Sequence, residues 1–86
     1  MSSRQEPADG VDDAFGQVLR SLRRRRGLSQ EHLGHESGSG RTYISELERG
    51  EKGASLKTVF RLAVPLETEP SEIIRLVETE LRSRGD

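Results

Sequence analysis

The segment "GSGRTYISELERG", Gly38 to Gly50, decides the fold. Glycines punctuate both of its ends, so the stretch from Arg41 to Arg49 reads as one short helix that Gly50 terminates. Its two aliphatic residues, Ile44 and Leu47, stand three apart and make a narrow apolar stripe. Arg41, Thr42, Tyr43, Ser45, Glu46 and Arg49 are left to face outward. Gly38-Ser39-Gly40 is not a phosphate loop, because the lysine and flanking strand of that motif are missing. It is a turn.

On its N-terminal side, Gln30 to Ser37 reads as a second helix. Ser29 is its N-cap, Leu28 packs back over its first turn, and Gly38 stands as a C′ glycine. A link of three or four residues around Gly38 forces the two helix axes to cross steeply, which is the helix-turn-helix arrangement. Gly34 supports it. A mid-helix glycine costs about 1 kcal/mol relative to alanine, so close approach of the third helix over Gly34 is expected.

The flanking segments are helical too. Asp12 or Asp13 caps a first helix to about Arg26, with Phe15, Val18, Leu19 and Leu22 on one face, and Gly27 ends it. Ser55 caps a fourth helix with Leu56, Val59, Phe60 and Ala63 as its apolar face, and Pro65 is expected to end or kink it. Pro70 opens a fifth helix to about Arg82. No segment alternates like a strand and none repeats. The expected fold class is all-α, a compact five-helix domain over residues 12–86 preceded by a disordered acidic tail, residues 1–11.

Composition narrows the function. The chain has 86 residues, 30% of them hydrophobic and 3% aromatic, with no cysteine. A domain of this size buries only about 60–65% of its unfolded surface. Without disulfides or thiolate metal sites, oligomerisation is the remaining source of added stability. Ile73, Ile74, Leu76, Val77 and Leu81 cover much of the fifth helix, and Leu66 is near, so these six are expected to form a homodimer interface. No apolar run approaches the roughly 20 residues of a membrane span, and "MSSRQEPADG" lacks a signal-peptide core. A cytoplasmic location is expected, with no membrane contact.

The net charge of −1 conceals a strong asymmetry. Residues 1–14 carry one base and four acids (−3), residues 15–61 ten bases and five acids (+5), and residues 62–86 three bases and six acids (−3). The basic centre is a candidate phosphate-facing surface. The Arg23-Arg24-Arg25-Arg26 run abuts it, within reach of phosphate.

An outward-facing polar helix fits the major groove, where such side chains read base edges. Arg41 is the candidate for a bidentate contact to guanine. Thr42 can touch a thymine methyl or a phosphate, and Tyr43 offers a hydroxyl to phosphate and a ring to a sugar. Glu46 can accept from a cytosine amino group or orient Arg41. Gln30 joins a side-chain amide to the free N–H groups of a helix N-terminus. Arg49 and Lys52 suit backbone phosphates where the chain leaves the groove. Glu48 falls on the inner side of the third helix, and a carboxylate there needs a partner. Arg23 is the expected one, in a structural ion pair.

Catalysis and metal binding find no support. No Ser/His/Asp set has a catalytic spacing, and His32 with His35 lacks a third ligand. No enzyme, cofactor or small-molecule ligand is expected.

The motifs "FGQVLRSLRRRRGLSQEHL", "RTYISELERG" and "SLKTVFRLA" resemble, in order and spacing, those of the Xre-type (Cro/phage-repressor-like) helix-turn-helix transcriptional regulators. The resemblance covers residues 15 to about 74. It implies a recognition helix at 41–49 and binding to operator DNA as a two-fold dimer. It also implies DNA contacts at Gln30, Arg41, Thr42 and Glu46 and a structural ion pair at Arg23 and Glu48. "RTYIS" followed by "ER" and a basic residue three beyond is similar to the controller proteins of restriction–modification systems. The chain departs from the family pattern at Gly34, where Ala is usual, at Ser39 in place of an apolar turn residue, at Gly40 in place of a Ser/Thr cap, and at Pro65. A second class stays open: an antitoxin-like or adaptor module that binds protein and has only a secondary role on DNA.

Overall fold

The computed structural model describes residues 10–85, and the expected tail therefore lies, but for its last two residues, outside the described part. Five helices follow one another: α1 (Val11–Arg25), α2 (Gln30–Ser37), α3 (Arg41–Glu48), α4 (Leu56–Leu66) and α5 (Pro70–Gly85). No strand occurs among the described residues.

Local signals start and stop most of these helices. The Ser29 hydroxyl accepts from the His32 N–H at 3.0 Å and the Ser55 hydroxyl from the Thr58 N–H at 3.1 Å, which caps α2 and α4. α1 corrects the expected cap. Gly10, left-handed at φ 81°, precedes the helix, and Asp12 and Asp13 lie inside its first turn. Carboxylates there still favour the helix dipole, but a tertiary partner engages Asp13, to which Arg84 donates at 2.8 Å.

Pro65 sits inside α4, one residue before its end. It deprives only the Arg61 carbonyl of a partner, and Arg61 is exposed to water. The helix closes at Glu67, left-handed at φ 55°, with the Glu67 N–H on the Val64 carbonyl and the Thr68 N–H on the Ala63 carbonyl. Arg26, beyond α1, reaches Glu67 at 3.0 Å.

Every helix contributes to one core. Its largest fully buried side chains are Leu19 of α1, Leu33 of α2, Ile44 and Leu47 of α3, Leu62 of α4 and Ile73 of α5. Three of the six residues expected at a dimer interface belong to this core instead. Leu66, Ile73 and Val77 are buried within the protomer, and Leu76 and Leu81 pack against the same core. α5 lies on α1 and α4, so its apolar face closes the core of its own chain. Of the six expected interface residues Ile74 is 45% exposed, and Leu76 and Leu81 keep part of their surface open.

The apolar face of α4 is also shifted from the expected one. Val59, Leu62, Ala63 and Leu66 point inward, whereas Leu56, Phe60 and Val64 are 69%, 55% and 76% exposed. Those three are spaced by four, so they form one stripe on the outer side of α4.

Candidate nucleic-acid interface

α3 is short, and its position depends on what lies beneath it. Two glycines let it seat closely. A Cβ at Gly34 of α2 would stand 2.5 Å from the Gly40 carbonyl carbon and 2.6 Å from the Arg41 nitrogen. A Cβ at Gly16 of α1 would stand 2.7 Å from the Glu48 carbonyl oxygen. Neither has room. Sequence reasoning misses Gly16; its only signal is a glycine set among the apolar positions Phe15, Val18 and Leu19.

The turn is held by one carbonyl. The Gly34 oxygen accepts from the N–H groups of both Ser39 and Gly40 at 3.0 Å. Gly40 stands before α3 at φ 85°, ψ 152°, with no side-chain cap. That region is essentially reserved for glycine, so here glycine is required by the backbone as well as tolerated at the cap.

Arg23, Gln30 and Glu48 meet where α1, α2 and α3 converge. Arg23 forms a bidentate pair with Glu48, 2.5 Å from Nε to Oε2 and 3.0 Å from Nη2 to Oε1, and donates through Nη1 to the Leu28 carbonyl at 2.8 Å. Gln30 Nε2 donates to Glu48 Oε1 at 3.0 Å. The Glu48 side chain is 3% exposed. Burial pushes its carboxyl up, but the hydrogen bonds from Arg23 and Gln30, with the charges of Arg23 and Arg20, outweigh burial and hold it below the usual range. The same hydrogen bond raises Arg23 against the opposing effect of burial.

The outward residues of α3 divide into engaged and open. Arg41 and Thr42, at the leading end, are exposed, and Arg41 has no carboxylate partner among the described residues. Tyr43 is half-buried against the core, and its hydroxyl donates to the Gly53 carbonyl at 3.4 Å. Arg49 grips Glu51 with two bonds, at 2.6 and 3.1 Å, and also donates to the Ser45 hydroxyl. Lys52 lies 3.4 Å from Glu46. The charges that leave α3 are thus paired internally. Glu51 is the partner the sequence did not reveal, because nothing local distinguishes it from a solvated loop acid.

Gln30 spends one amide N–H on Glu48, which leaves the other, its carbonyl oxygen and the backbone N–H groups of Gln30 and Glu31 open. His32 and Glu36 approach at 3.7 Å on an exposed face. Among the described residues there is no cluster of potential metal ligands, and no helix is long and apolar enough to cross a membrane.

Comparison with known proteins agrees with this geometry. Residues 19–73, more than half of the chain, match the helix-turn-helix family HTH_3. The control protein C.BamHI of Bacillus amyloliquefaciens is 36% identical over 61 residues, covering 70% of this chain and 75% of that protein. The control protein C.SmaI of Serratia marcescens is 36% identical over 64 residues, covering 74% and 76%. Among solved structures, the restriction–modification controller protein C.AhdI from Aeromonas hydrophila is 45% identical, with a TM-score of 0.70, over 72% of this chain and 94% of that one. Close packing of α3 on α2 over Gly34, a seated polar helix and these matches converge: the chain belongs to the HTH_3, Xre-like, helix-turn-helix family.

Proposed function

We propose that this protein is a sequence-specific DNA-binding transcriptional regulator, without enzymatic activity, that acts as a homodimer on a palindromic or repeated operator. Helix-turn-helix dimers of this kind place half-sites about one helical turn apart. One observation carries the proposal. α3 buries Ile44 and Leu47 completely and presents Arg41 and Thr42 unencumbered at its leading end. Arg41 reads guanine, Thr42 and Glu46 contact neighbouring bases, and Tyr43, Ser45, Arg49 and Lys52 lie along the strand backbone. The N-terminus of α2 with Gln30 holds a phosphate. The protein works in the cytoplasm, on the nucleoid when bound.

Arg41→Ala is expected to remove about 1–3 kcal/mol of discrimination at one base pair. Binding to an operator obtained by in-vitro selection, and to its single-base variants, measures this. Equal weakening on all sequences would make Arg41 a phosphate contact instead.

The dimer surface proposed is the stripe Leu56, Phe60 and Val64 on α4, with Ile74 on α5. Three large apolar side chains left more than half exposed on a small protein mark an interaction site. The wild type is expected to sediment as a dimer at micromolar concentration and Phe60→Asp as a monomer. A wild-type monomer there rules out the homodimer. A selected site bound no better than random DNA would favour the adaptor reading, in which the same stripe receives another protein.

A further inference from the structure

The element that would read the groove carries no net charge. From Arg41 to Gly53 stand Arg41, Arg49 and Lys52 against Glu46, Glu48 and Glu51, three bases and three acids. Arg49 and Lys52 are held by Glu51 and Glu46, and Glu48 is held by Arg23. Duplex binding nevertheless depends heavily on cations that neutralise phosphates. Those cations lie elsewhere in this molecule.

They lie on α1. Residues 15–26 contain five arginines and no acid. Arg23 is committed to Glu48 and Arg26 to Glu67. Arg20, Arg24 and Arg25 are exposed and have no carboxylate partner among the described residues. Arg20 and Arg24 are one turn apart on a single face, and with Gln17 and Ser21 they line a shallow groove that contains no acid. Like charges at this spacing destabilise a helix by a few tenths of a kcal/mol. The macrodipole offsets that for Arg24 and Arg25 in the last turn, but not for Arg20.

Position links this face to α3. Gly16, one turn before Arg20, touches the end of α3, and the Arg20 charge is felt at Glu48 beside the N-terminus of α2. The arginine face therefore lies beside the start of α2 and the end of α3.

We propose that Arg20 and Arg24 of α1 form a second phosphate-binding surface, which grips the duplex backbone flanking the base pairs read by α3. Guanidinium groups make bidentate hydrogen bonds to phosphate oxygens, so the surface supplies affinity without sequence information. The division of labour is spatial: α3 selects, α1 attracts. This rests on the DNA-binding function proposed above.

The test is the salt dependence of binding, by fluorescence anisotropy, for the full chain on a selected duplex and on a random one. In Arg20→Gln/Arg24→Gln the slope of log K against log salt is expected to fall by about 0.9 for each phosphate no longer neutralised, or about 1.8 per protomer. That corresponds to weakening by tens of fold per protomer at about 0.1 M salt, and the dimer's measured slope should fall by about 3.6. Both duplexes should weaken by the same factor, leaving their ratio unchanged. Arg20→Lys/Arg24→Lys should retain most of the slope, and thermal melting should confirm that both variants are folded. An unchanged slope, or a loss confined to the selected duplex, overturns the proposal. A wild type that fails to prefer the selected duplex defeats the sequence-reading function instead, and the slope on random DNA still decides the role of the arginines.

Discussion

Replacing Glu48 by alanine is expected to destabilise the domain by about 3 kcal/mol, near the lower end of the range for breaking a buried ion pair. The Arg23 side chain is 11% exposed. Without Glu48 it would keep only the Leu28 carbonyl as a partner, and partial access to water sets the cost at the lower end. Gln30 would lose its acceptor as well. For a chain of this length total stability is about 4–13 kcal/mol, so the loss should lower the melting temperature by more than about 10 °C. The paired replacement Arg23→Met/Glu48→Leu should cost far less, since it leaves no charge stranded. Denaturant unfolding of the three proteins decides it, and a double variant as unstable as Glu48→Ala would show that packing, not charge, matters at this junction.

The same pair gives the domain an acid limit. The folded Glu48 carboxyl titrates below its unfolded value of about 4.3. Its stabilisation is therefore complete above that value and is lost as pH falls through the lower folded value. The contribution of Glu48 to the melting temperature should be constant near neutrality and should be lost progressively below about pH 4.

The second large effect is expected at Gly34. Alanine there would gain about 1 kcal/mol of helix propensity, yet its methyl would meet the backbone of Gly40 and Arg41 at 2.5–2.6 Å. Overpacking of this kind costs about 1–3 kcal/mol, and backbone yields less readily than a side chain, so Gly34→Ala should be destabilising by about 2 kcal/mol. The family pattern has Ala at this place and Ser or Thr at position 40, which connects the two departures. Gly40 adopts a conformation reserved for glycine and brings the turn down onto Gly34. Gly34→Ala and Gly40→Ser should therefore be strongly non-additive, the double variant recovering part of the loss as the turn re-forms in the family's geometry. Additive losses in a double-mutant cycle would show the two glycines to be independent.

Local signals made the helices legible: Ser29 and Ser55 as caps, Gly38 and Gly50 as stops, Ile44 and Leu47 as the seat of α3. The pairing of Arg23 with Glu48 followed from a carboxylate on an inner helix face. What was not legible depends on tertiary partners. Asp13 looks like a cap until Arg84, seventy-one residues away, takes it up. Val59 and Phe60 are both apolar, and only the placement of the neighbouring helices against α4 decides that one is buried and the other exposed. Leu66, Ile73 and Val77 looked surplus because the demand of a core fed by five helices is not visible along the chain. The contacts of Arg49 and Lys52 with Glu51 and Glu46 are set by a loop whose path no periodicity encodes.

The exposed stripe of α4 also bears on dosage. In the proposed dimer, Leu56, Phe60 and Val64 must be covered before two recognition helices can address two half-sites together. While most chains are monomeric, the abundance of the competent species then grows with the square of the amount of protein made. Halving expression would reduce it about fourfold, by mass action alone. A protein with this surface would respond as a threshold in its own synthesis, and the hydrophobicity of Phe60 would set where that threshold lies.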